Sequence, residues 1–165
     1  MHVDRLERYW IIIVAAVLGA FFASLLAAML VFGMRLPSTP AEFVNPLALG
    51  DTRFATPGLR DMGDGRYELT MTAQMWRFNT GSSEQDADGN DIIRVPRGSQ
   101  VTFFITSVDV THGLIVERHN LNIQVIPGHV GRATITFNDP GEFRLLCHEY
   151  CGAGHHRMHA TIIVE

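Results

Sequence analysis

Cys147-His-Glu-Tyr-Cys151-Gly-Ala-Gly-His155-His-Arg-Met158 holds both cysteines of the chain and sets a histidine and a methionine after them at steps of four and three. Thiolate, imidazole and thioether together make the ligand set that soft copper prefers. Two cysteines four apart can turn both sulfurs toward one point, and Gly152 and Gly154 let the backbone fold back so that His155 joins them. A mononuclear blue-copper site needs one cysteine only, so the second thiolate suggests a second metal ion or a different one. Another imidazole is offered by His112, in Val108-Asp-Val-Thr-His-Gly113. Other readings stay open on these residues alone. The cysteines suit a disulfide in an oxidising compartment, or the metal clip of a copper carrier. Two Cys with two His also suit zinc, which leaves Met158 without a role.

Working outward, the flanks of this stretch read as strands. Glu142-Phe-Arg-Leu-Leu146 leads into it and Ala160-Thr-Ile-Ile-Val164 leaves it. Earlier segments alternate in the same way: Tyr67–Thr72, Gln100–Thr106, Gly113–Glu117, Leu121–Ile126 and Arg132–Phe137. Turn residues separate them at Pro96-Arg-Gly98, Pro127-Gly128 and Asp139-Pro-Gly141. About seven or eight short strands without a helical period predict an antiparallel sandwich or barrel over residues 66–165. The Cys/His stretch then forms one loop at its end, and His112 opens a strand at the same end.

Residues 9–34 carry no charge, and 13 of them are Ile, Leu, Val or Phe. At roughly −0.3 to −0.6 kcal/mol each, these side chains favour membrane insertion by about 4–8 kcal/mol. The spacing predicts a transmembrane helix over 9–34 behind a polar head at 1–8. Arg5 and Arg8 before it, against Arg35 after it, set the head in the cytoplasm. Residues 35–65, rich in Pro and Gly, predict an extended connector. Residues 36–165 hold 10 Arg, 15 acidic side chains and no Lys, a net charge of −5. That balance argues against nucleic acid and permits a basic protein partner.

The loop motif, with Asp109-Val-Thr-His112-Gly upstream and one membrane helix before the β region, resembles cytochrome c oxidase subunit II. It is most similar to the B-type (ba-type) haem–copper oxidases. The resemblance implies an all-β, cupredoxin-like Greek-key β-sandwich anchored by a single N-terminal transmembrane α-helix, in a prokaryotic cell membrane with the copper domain outside. It implies a dinuclear CuA centre of two copper ions, bridged by Cys147 and Cys151. His112 and His155 would each bind one ion, with Met158 and the main-chain carbonyl of Glu149 as weak axial donors. It further implies electrons received from cytochrome c, or another small redox protein, and passed to haem in subunit I, where oxygen is reduced with proton pumping. The copper loop of a nitric oxide reductase would look alike.

Two more residues enter through the resemblance. Met71-Thr-Ala-Gln-Met-Trp76-Arg-Phe78 is similar to the family's aromatic segment near the copper, which makes Trp76 the point where electrons arrive. Glu7-Arg-x-Trp10 is similar to the segment that places a glutamate at a proton channel, which makes Glu7 a candidate for proton uptake. Gly81–Asp91 departs from the pattern as an inserted, acidic, solvated hairpin tip whose charges could steer a basic donor.

Overall fold

A computed structural model of the chain describes residues 4–31 and 42–165. They belong to two separate compact units, divided after Pro40. The first is helix α1 (Arg5–Val31), of 27 residues. Asp4 precedes it, and its carboxylate accepts the Leu6 amide at 2.9 Å, satisfying one of the donors that a helix start leaves free. At about 1.5 Å per residue the helix is about 40 Å long, more than a hydrocarbon core of about 30 Å. None of its side chains is buried. Positions 32–34 of the expected span and 35–41 of the expected connector lie outside the described residues.

The second unit has ten strands: β1 (Gly58–Asp61), β2 (Arg66–Gln74), β3 (Arg77–Asn79), β4 (Ile92–Val95), β5 (Gln100–Ser107), β6 (His112–Val116), β7 (Asn122–Val125), β8 (Gly131–Thr136), β9 (Gly141–Leu146) and β10 (His159–Val164). One sheet runs β1-β2-β5-β8, with β3 following β1 along the same side of β2; the other runs β4-β10-β9-β6-β7. Alternate residues face inward, as a pleated strand requires. Leu69, Met71 and Ala73 of β2, Val101, Phe103 and Ile105 of β5, and Leu145, Ala160 and Ile162 from the opposite sheet meet in one core. On the far side of the first sheet Phe104 is capped by the Arg53 guanidinium, 3.8 Å from the ring centroid.

Two pairings depart from the expected antiparallel pattern: β2 with β5, and β4 with β10, are parallel. Each joins strands between which the chain visits other strands, so local spacing, which speaks for hairpin neighbours, does not show them. The extended connector also differs. Within it Gly58–Asp61 pairs with β2 and Phe54 is buried, although Gly and Asp are poor strand formers.

This topology fixes where the Cys/His loop sits. Leu146 and His159 are paired across β9 and β10, so residues 147–158 leave the sheet and return to it at adjacent points. The Cys147 amide donates to the Met158 carbonyl at 3.2 Å and closes the base. On the other flank of β9, Ile115 pairs with Leu146, which carries His112, still paired with Val125 of β7, three residues past the last β6–β9 pair, toward the loop. Replacing the fully buried Phe103 with Ala is expected to cost about 3–5 kcal/mol of stability, read from denaturant unfolding of the β unit by circular dichroism.

Candidate metal centre

The six donor groups named from the sequence converge at this end. Cys147 Sγ lies 3.8 Å from Cys151 Sγ, 3.8 Å from His112 Nδ1 and 3.3 Å from the Glu149 carbonyl oxygen. Cys151 Sγ lies 3.6 Å from His155 Nδ1 and 3.7 Å from Met158 Sδ. The ligand atoms of His112, Cys147 and Cys151 all fall within 4.8 Å of one another. Both cysteines are free thiols. Cys147, Cys151, Met158 and His112 are buried, while His155 keeps a partly open edge against the ring of the exposed Tyr150.

His112 has a defined orientation. Its Nε2 meets Asp109 Oδ1 at 2.9 Å, and because a carboxylate only accepts, Nε2 carries the hydrogen and Nδ1 turns toward Cys147. Burial disfavours charge on this imidazole, but Cys147 and Asp109 outweigh it and raise its pKa. Burial also works against the Cys147 thiolate, yet its contact with His112 and the hydrogen bond from the Gly113 backbone N–H bring its pKa down to about 6. The second thiol behaves oppositely: burial and the neighbouring Cys147 charge push Cys151 up to about 12. Two thiolates at this separation repel each other, and a bound cation relieves that repulsion.

The arrangement fits copper. Nitrogen and thiolate donors face inward from four residues, and the added thioether is buried beside Cys151 rather than left to solvent. A tetrahedral zinc site of two Cys and two His has no use for that sulfur.

Close packing around the donors needs glycine. A Cβ on Gly113 would come within 2.5 Å of the His148 ring, and one on Gly154 within 2.4 Å of the Trp76 ring. The indole therefore lies on the loop itself, and its N–H donates to the Cys151 carbonyl at 3.1 Å. Trp76 remains 41% exposed, beside a surface cavity of about 350 Å³ that also touches His156, Met158 and His159. Glu7 is elsewhere, on α1.

Asp109, three positions before His112, takes a part in the site that its residue type alone does not announce. The signal is that spacing, which lets a carboxylate reach an imidazole across a tight turn. The acids of residues 81–91 are mostly consumed within the fold. Glu84 pairs with Arg94 at 2.8 Å, Asp86 accepts the amides of Asp88 and Asn90, and Asp91 is buried with Arg77 at 2.6 Å. Asp88 alone among them accepts no side-chain partner within the described residues.

A profile of the family described as cytochrome C oxidase subunit II, periplasmic domain, matches residues 47–165. The chain belongs to the cytochrome c oxidase subunit II family. Subunit 2 of the Thermus thermophilus cytochrome c oxidase is 49% identical over 73 residues, which cover 44% of this chain and 54% of that one. An alternative cytochrome c oxidase subunit 2 of Bradyrhizobium diazoefficiens is 30% identical over 158 residues, covering 89% and 56%. The chain thus spans about half the length of these curated relatives. Among solved structures, a heme-copper terminal oxidase dimer matches with a TM-score of 0.70 and 36% identity, over 98% of this chain and 100% of that one. The periplasmic domain of a Bradyrhizobium japonicum cytochrome oxidase subunit II, at 20% identity and a TM-score of 0.52 over 59% and 83%, shows the fold. The β unit is a cupredoxin-like sandwich, the family binds copper, and the Cys and His side chains of the loop are the candidates to hold it. One apolar N-terminal helix together with a periplasmic-domain family fits a single-pass membrane protein.

Copper uptake by the metal-free chain is expected to release protons, because burial and the Cys147 charge keep Cys151 protonated, its pKa pushed up to about 12, until a cation binds. Uptake slows as pH falls through about 6, where Cys147 regains its proton as well. Stopped-flow absorbance with a pH indicator reads both effects.

Proposed function

We propose that this chain is the electron-accepting subunit of a terminal cytochrome c oxidase of the B type. It takes electrons singly from cytochrome c, or another small redox protein, and passes them to haem in subunit I, where oxygen is reduced to water with proton pumping. The observation that carries the reading is the convergence of two free thiols, two imidazoles and a buried thioether at one sandwich tip, in a chain of this family.

In this reading Cys147 and Cys151 would hold two copper ions as thiolates together with His112 and His155, and Met158 and the Glu149 carbonyl would be the weaker donors. When bound, the CuA pair supplies a one-electron redox centre. The chain's own groups do the rest: strand ends hold the donors in place, burial excludes water, and hydrogen bonds to the ligands tune them. Trp76 is the surface point at which electrons arrive, because its ring is exposed on one side and its N–H touches the Cys151 carbonyl. Met75, Val110 and Tyr150 are exposed nearby and add apolar surface for a donor. Of the four acids in residues 81–91, Glu84 and Asp91 are matched by Arg94 and Arg77, which removes about half of the steering field expected from their number.

The division of the chain follows the same proposal. Residues 1–8 form a cytoplasmic head, 9–34 the membrane span and 35–65 the link to a copper domain outside a prokaryotic cell membrane. Glu7, in the first turn of α1, is the candidate for proton uptake on the cytoplasmic side.

The purified complex is expected to hold two copper ions per chain in the β unit. Its colour should be purple, with a paramagnetic resonance spectrum of one electron shared by two copper nuclei. A single ion per chain, or a Cys147–Cys151 disulfide in the active complex, overturns the proposal.

Two substitutions probe the routes. Trp76→Leu should weaken productive donor association by about 2 kcal/mol, roughly thirtyfold, with copper content retained. Glu7→Gln should lower proton-coupled turnover. Wild-type rates in either variant remove that residue from the scheme.

A further inference from the structure

We propose that Asp109 is a positioning residue whose single carboxylate orients His112 and, at the same time, anchors the turn that presents Trp76. The inference rests on the copper reading above. Asp109 lies between β5 and β6 with its side chain 25% exposed. Oδ1 accepts from His112 Nε2 at 2.9 Å, and also from the Val110 amide at 2.6 Å. Oδ2 accepts from the Met75 amide at 2.7 Å, a contact spanning 34 residues of sequence. Ser107 Oγ approaches Oδ1 at 3.3 Å.

Met75 immediately precedes Trp76 in the turn between β2 and β3. Trp76 returns to the copper loop through the bond from its N–H to the Cys151 carbonyl and through its ring, which lies on Gly152 and Gly154. The circuit therefore runs from His112 through Asp109, Met75 and Trp76 to Cys151, and Cys147 closes it between the two ends. A carboxylate suits the joint because it is the one side-chain group that accepts on two sides without donating. One oxygen sets the tautomer of a ligand imidazole, and the other sets the height of an exposed indole. A simple surface charge for a basic donor would leave its oxygens free, whereas both oxygens here are turned inward onto N–H groups. No bond forms or breaks at Asp109. One electron leaves the donor, which is oxidised, and reaches the copper pair, which is reduced; Asp109 fixes the two groups it passes between.

Asp109→Asn, Asp109→Ala and Trp76→Phe in the full chain test this. In the metal-free chain, hydrogen exchange at Met75–Trp76 should accelerate in both Asp109 variants while the β5 core stays protected. Asn supplies one acceptor where two are needed, so it suffices if the alanine variant fails to fold. Copper affinity should fall about ten- to a hundredfold. With the donor cytochrome, kcat/KM should fall by an amount that added salt does not restore, and adding Trp76→Phe to Asp109→Asn should lower it by less than the product of the two effects. Wild-type exchange and copper affinity, with only a KM increase that salt abolishes, would make Asp109 a docking charge and overturn the proposal. Because the exchange measurement needs no metal, it stands or falls separately from the copper reading, which fails if the wild-type chain takes up no copper pair.

Discussion

Two sulfurs 3.8 Å apart set the problem that this molecule solves. Alone, they cannot both be ionised: one thiol loses its proton easily and the other is pushed far up by the charge of the first. A bond between them would remove the charge and also the metal-binding chemistry. Only a cation held between them keeps both as thiolates, so the surrounding fold must keep the sulfurs close, separate and dry. That requirement accounts for where the donors are mounted. Cys147 directly follows β9 and Met158 directly precedes β10, and the two strands pair up to that point. The loop cannot open at its base without breaking sheet hydrogen bonds.

His112 enters from a second strand, β6, which holds it rigidly from the other flank of β9. Cys151 and the Glu149 carbonyl are carried by irregular backbone and His155 opens a short 3-10 turn (His155–Arg157), and it is over this part of the loop that the Trp76 ring lies. An exposed aromatic is thus also a brace. A centre that changes charge by one electron works fastest when its ligands move little, and mounting donors on strand ends with an indole across the remaining turn meets that condition. The absence of side chains at Gly113 and Gly154 belongs to the same design, since a Cβ at Gly113 would collide with the His148 ring and one at Gly154 with the Trp76 ring.

The ligand set was legible because its information is local. Cys147, Cys151, His155 and Met158 lie within twelve residues, and their steps of four, four and three survive in the folded loop as neighbouring donors. The inward faces of β5, β9 and β10 were legible for a related reason, since alternation is written into each strand. What was not legible depends on distant segments meeting. The parallel pairing of β2 with β5 requires the chain to visit the other sheet in between. The Met75 amide finds Asp109 across 34 residues, and the Trp76 indole finds Cys151 across 75. β1 was hidden by its composition: Gly58-Leu-Arg-Asp61 becomes a strand because β2 offers it an edge, not because its residues favour one.

The acidic segment between β3 and β4 shows how charge can mislead when read by count. Asp91 is fully buried, and burial opposes its ionisation. Hydrogen bonds from the Thr80 amide, Arg77, the Thr80 hydroxyl and Gln85 outweigh that and keep its pKa below the ordinary carboxylate range. Arg77 reaches it from a half-exposed position, so losing that partner costs less than breaking a fully buried pair and more than the about 0–1 kcal/mol of an exposed one. Its partners place it: Arg77 directly follows Trp76 in the chain, and the Asp91 carbonyl accepts the Thr161 amide of β10. Asp86, at the tip of the same segment, holds Asn90 and reaches His159, the residue after Met158. The segment therefore ties the Trp76 turn on one side to the exit of the metal loop on the other. Two of its four carboxylates are matched by arginines, so the segment acts first by hydrogen bonding at short range, where screening by salt is weak, and less as a long-range field.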